Sequence, residues 1–105
     1  MHTADAWSVI FELLQKPIRR QLLWSLHNQK TDEKLDSRQA LEEEPITDEK
    51  KIALQNIHLP KLEHYNHVVV EGFMISRGPD WDTIEPVLSV LLRNKDELPK
   101  GLIPS

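Results

Sequence analysis

The stretch Asp48–Asn66, DEKKIALQNIHLPKLEHYN, constrains the fold more than any other part of the chain. It reads as one long helix. Asp48 and Glu49 fall in the first turn, where unpaired amides and the helix dipole favour acids, and Thr47 stands ready as N-cap. Ile52, Leu59 and Leu62, with Gln55 between them, form one stripe at helical spacing. Asn66 supplies the left-handed residue that ends a helix, and HVVVEGFMIS beyond it turns extended. Pro60 is the irregularity. It has no N–H for the Asn56 carbonyl, so a kink is expected there.

The other segments read as a scaffold for that helix. Ala6–Gln15 is a short helix with Asp5 or Ser8 as cap. Trp7, Ile10, Leu13 and Leu14 lie on one side, Val9 and Phe11 off it. A helix this apolar is central to the core or shared with another subunit. Lys16-Pro17 breaks it and opens a second helix. There Ile18, Leu22, Leu23 and Leu26 face in, Arg19 and Arg20 face out, and Trp24 has no place in a monomer core. NQKTDEK is a polar loop. Leu35 then enters a third, short helix capped by Asp36 or Ser37, with Ala40 and Leu41 inward. Glu42, Glu43, Glu44, Pro45 and Ile46 close the turn into the long helix, which makes a helix-turn-helix.

Val68–Ser76 reads as a two-stranded wing around Glu71-Gly72, ended by Gly78-Pro79. Asp82–Glu85 resembles a capping box, with Pro86 in the first turn. Ile84, Val87, Leu88 and Leu91 form the stripe of the last helix, flanked by Val90 and Leu92. The order predicts a mainly α fold with a small β-hairpin: a winged helix-turn-helix with additional N- and C-terminal helices. One domain spans 1–105, with N-terminal helices at 5–29, the helix-turn-helix at 35–66, the wing at 68–77, the last helix at 82–95 and a flexible tail at 96–105.

IHLPKL, VIFELLQKPIRRQLLWSL and ISRGPDWDTIEPVL together resemble a haloarchaeal family of small winged-helix proteins, similar in turn to ArsR-type transcriptional regulators. The match runs from about Ser8 to Arg93. It departs from the family at Asn56, where His is usual, and at Asn66, where Gly is usual. The resemblance implies DNA binding and pairing of two chains through their first and last helices.

Composition bounds these expectations. A net charge of −4 has the wrong sign for a protein living on phosphate contacts, although patches matter more than totals. It is less acidic and richer in lysine than the proteins of extreme halophiles usually are. The absence of cysteine excludes disulfides and thiolate metal sites. No membrane span or signal peptide is legible, which suggests a cytoplasmic protein. No phosphate loop or nucleophile motif emerges, so an enzyme is not expected, nor is a cofactor or a small-molecule substrate. His64 and His67, with His58 and Glu63 nearby, are weighed as a metal site, but His67 falls past the helix end and no metal is expected. His58 is expected to pack or hydrogen bond at the kink.

The residues placed to meet double-stranded DNA are Arg38, Lys50, Lys51 and Lys61, with Arg77 at the wing. Gln55, Asn56 and His58 are placed to read base edges. Against this, Glu42, Glu43, Glu44, Asp48 and Glu49 crowd the approach to the long helix. Two functions therefore follow from the sequence. One is a sequence-specific transcriptional regulator acting as a homodimer; the other is a winged-helix protein-interaction module that does not bind DNA. The expected dimer surface comprises Trp7, Phe11 and Trp24 with Leu88, Val90, Leu91 and Leu92 of the last helix.

Overall fold

The computed structural model describes residues 5–29, 33–41 and 46–101. Helices α1 (Ala6–Leu14) and α2 (Pro17–Asn28) come first. Strand β1 (Leu35–Asp36) and the short helix α3 (Ser37–Ala40) follow. The long helix consists of α4 (Asp48–Ala53), a π-helical turn (Leu54–His58) and α5 (Leu59–His64). Strands β2 (Val68–Glu71) and β3 (Met74–Arg77), helix α6 (Trp81–Arg93) and a 3-10 turn (Lys95–Glu97) complete it. Three helices with a β-hairpin after the third make a winged helix-turn-helix, flanked by α1 and α6.

The sheet order is β1-β3-β2, all antiparallel. Leu35 pairs with Ile75 and Asp36 with Met74, so the expected helix start at Leu35 is instead a third strand. Two residues carry no periodicity; the strand exists only because β3 offers a free edge to it. Asp36 does cap α3, accepting from the Arg38 amide. Ser37, fully buried, donates both its amide and its hydroxyl to the Phe73 carbonyl, at 2.9 and 2.7 Å. The wing tip is thereby tied to the start of α3.

Glu71 and Met74 pair across a two-residue turn. Gly72 takes φ +64°, while Phe73 does not have positive φ, the pattern of a II′ turn. At the other end of the hairpin, Asn66 adopts φ +66°, as expected for a helix terminator. Gly78 packs so closely that a Cβ there would collide with the Asn66 carbonyl. Its amide bonds to the His67 carbonyl, and the Asp80 amide to that of Asn66, which fixes α6 against the end of α5.

One core runs through the fold: Ile10, Leu13, Leu22, Leu23, Leu26, Leu54, Leu59, Leu62, Ile75, Ile84 and Leu88 are all buried, as are Ala40 and Leu41. Several inward and outward assignments change. Trp24 is core rather than surplus, and Arg19 is 3% exposed rather than outward. Arg20, half-buried, donates to the Leu14 carbonyl at 2.7 Å and so caps the end of α1. Helix α6 begins at Trp81, so Pro86 lies inside it, beyond the first turn. Glu85 accepts from the Trp81 indole at 2.5 Å instead of closing a capping box.

Pro60 acts one turn upstream of itself. The Leu59 amide bonds to the Leu54 carbonyl, an i→i+5 closure. The widened turn gives the proline ring room beside the Asn56 carbonyl it would otherwise strike. The extra residue also changes the helical phase. Leu54, His58, Leu59 and Leu62 point inward, whereas Ile52 and Gln55 of the expected stripe are exposed.

Candidate nucleic-acid interface

The outer face of the long helix carries Asp48, Glu49, Ile52, Gln55, Asn56 and Ile57, all exposed. Thr47 caps its start, accepting from the Lys50 amide at 3.2 Å, as expected. The π turn presents Gln55, Asn56 and Ile57 in succession beyond Ile52. Ile52 and Ile57 are 60% and 55% exposed, unusually bare for isoleucines on a packed helix. Ile57 was not legible as a surface residue, because a regular helix and a π turn give its position different directions.

The candidate cations fare differently from one another. Arg38 grips Asp36 through Nε and Nη2, at 3.1 and 2.9 Å, and lies over the Phe73 ring at 4.4 Å. This hydrogen-bonded pairing holds the Asp36 carboxyl below its usual range. Lys61 pairs with Glu12 of α1 at 2.6 Å. That hydrogen bond lowers the Glu12 carboxyl in turn. Lys50 and Lys51 are half-buried at the second turn of α4.

Arg77 was expected to reach a flanking phosphate from the wing. Its guanidinium turns inward and donates to the carbonyls of Leu26, His27 and Gln29 at the end of α2. It also lies over Trp81 and 3.5 Å from Glu85. The last carbonyls of a helix lack intrahelical partners, and a cation is favoured beside them. Arg77 therefore clamps the wing to α2.

His58 is likewise not on the outer face of the helix. It is buried in the π turn, with Nδ1 3.1 Å from Arg19 Nη1. Arg19 further donates Nε to the Leu13 carbonyl and Nη2 to that of Glu12, at 3.1 and 2.7 Å. A guanidinium only donates, so His58 Nδ1 accepts and the ring is neutral with its proton on Nε2. Burial, then the Arg19 and Lys16 charges, push the His58 pKa down. Arg19 was missed as a site residue, yet Arg19, Leu22, Leu23 and Leu26 follow the i, i+3, i+4, i+7 spacing of an inward stripe.

Of the expected dimer surface, Trp7 and Phe11 are 56% and 64% exposed and stack on each other at 6.0 Å. Val90 is exposed, and Leu91 and Leu92 are half-buried. Trp24 and Leu88 leave this set: both are buried within the single chain, where α2 and α6 meet the core. Glu42, Glu43 and Glu44 lie outside the described residues.

Among the described residues, no three His, Cys, Asp or Glu side chains gather as a metal site would need, and no helix is long and apolar enough to cross a membrane. No family model, curated protein or solved structure matches the chain.

Proposed function

We propose that this chain is a sequence-specific regulator of transcription that reads double-stranded DNA with the outer face of its long helix, as a homodimer. The observation that carries this reading is the adjacent pair of carboxamides, Gln55 and Asn56, exposed on the third helix of a winged helix-turn-helix. That helix is the one such folds lay in the major groove. A carboxamide matches the N6 and N7 edge of adenine, and a branched apolar side chain matches the thymine methyl. Gln55 and Asn56 flanked by Ile52 and Ile57 thus favour A·T base pairs. Arg38, Lys61 and Arg77 are engaged with protein groups, so few cations remain for phosphates. Affinity then rests more on base edges than on counterion release, and its salt dependence is shallow.

Selection of bound duplexes from a randomised library at low salt tests the reading. An enriched motif containing A·T pairs is expected. Recovery of no duplex above background favours a second reading, a protein-interaction module. The exposed Ile52 and Ile57, next to Asp48 and Glu49, support that alternative.

A further inference from the structure

Two polar side-chain contacts among the described residues link α1 to the long helix, beside its apolar face. One is the half-buried Lys61–Glu12 ion pair. The other is internal: Arg19, from α2, gathers the Glu12 and Leu13 carbonyls at the end of α1 and the His58 ring of the π turn around one guanidinium. The Arg19 contact has a property the ion pair lacks. It exists only while His58 Nδ1 keeps its lone pair.

We propose that the Arg19–His58 contact is a proton-sensitive lock that fastens α1 and the π turn of the long helix together. A proton taken from solvent onto Nδ1 turns the acceptor into an N–H donor. It then faces the Nη1 donor of a guanidinium that keeps its own charge. The charges facing the ring are Arg19 of α2 and Lys16 of the α1–α2 connection, both positive. On α1, Glu12 acts on Arg19 and is itself bonded to Lys61 of α5. The new imidazolium thus meets two cations, and the carboxylate that acts on Arg19 is already engaged by Lys61.

Relief requires the ring to turn away or Arg19 to withdraw. Withdrawal releases the Glu12 and Leu13 carbonyls, leaving α1 attached by Lys61–Glu12 and its apolar face. Displacement of the buried ring removes its packing from the π turn that carries Gln55 and Asn56. Both responses loosen the same junction. The lock does not depend on what the outer face binds, so it stands or falls separately from the DNA-binding reading.

The test is amide hydrogen exchange, followed by mass spectrometry and corrected for intrinsic pH dependence. It runs from about pH 7.5 to about pH 5, across the ordinary imidazole range. Wild type should lose protection in α1 and in residues 54–58 as pH falls, more than in the β2–β3 hairpin. The imidazole resonances of His58 should report the same midpoint, lying below that of an unperturbed histidine. His58→Asn keeps an oxygen at the place of Nδ1 that can accept from Arg19 but does not titrate in this range, and its exchange in both segments should stay flat. Flat wild-type protection, or the same pH-dependent loss in wild type and His58→Asn, overturns the lock. If His58→Asn fails to fold, wild type alone decides: a mismatch between its exchange and His58 midpoints overturns the proposal.

Discussion

At the scale of single residues, arginines hold this small fold together. Arg19 and Arg20 collect the carbonyls ending α1, and Arg77 collects those ending α2. Each replaces a cap that the local sequence lacks: Gln15 and Gln29 follow these helices where a glycine or asparagine would end them more easily. Truncating Arg77 removes its guanidinium from these carbonyls, of which Leu26 keeps the Gln29 amide, and removes the cation over Trp81. Arg77→Ala should destabilise the fold by about 1–3 kcal/mol in chemical denaturation. Because Arg77 faces α2, DNA affinity of the folded variant should change little. A stable but non-binding Arg77→Ala protein would return this residue to the interface.

Thr47, Asp36 and Asn66 were legible one residue at a time and act as their chemistry suggests, whereas Asp5 makes no side-chain cap bond and Asp82–Glu85 forms no capping box. The arginines were not legible. Their partners lie in other segments or beyond a helix break, and a double arginine looks the same facing water or facing carbonyls. Arg19 alone left a trace, through its place in the leucine spacing.

At the scale of elements, the hairpin turn and the exit from β3 carry two glycines with opposite demands. Gly72 needs positive φ but has open space, whereas Gly78 needs space against the Asn66 and His67 backbone. Gly72→Ala should cost roughly 1–2 kcal/mol, the usual penalty of a left-handed alanine. Gly78→Ala pushes Cβ into immovable backbone and should cost more than that, with a correspondingly lower Tm. Equal melting temperatures for the two variants would contradict the close approach at Gly78. The element order was readable from periodicity and turn residues. Strand β1 and the π turn were not, because the first is made by its partner and the second by a proline outside it. The phase change at the π turn is why the expected stripe of Ile52, Leu59 and Leu62 kept its last two members and lost its first.

At the scale of the whole molecule, the large apolar side chains left bare among the described residues fall on distinct elements: Trp7 and Phe11 on α1, Ile52 and Ile57 on the long helix, Val90 on α6. The homodimer proposal rests on the first and last of these. Phe11→Glu with Val90→Glu places charges only on exposed positions, so the variant should fold. It should scatter light as a monomer where wild type scatters as a dimer. A wild type that remains monomeric at high concentration contradicts the pairing. The exposure of Gln55 and Asn56 was legible, since they are polar on an otherwise periodic helix. The inward directions of Arg77 and His58 were not, because they depend on tertiary partners.

The central claim is that Gln55 and Asn56 read base edges from the long helix. The most direct measurement is fluorescence anisotropy with the duplex enriched from a randomised library, comparing wild type with Asn56→Ala at fixed salt. Loss of one carboxamide contact should weaken binding by about 1–3 kcal/mol and erase preference at a single base position. Arg77→Ala, measured alongside, should bind nearly as wild type does. Unchanged affinity and unchanged base preference in Asn56→Ala would contradict the account.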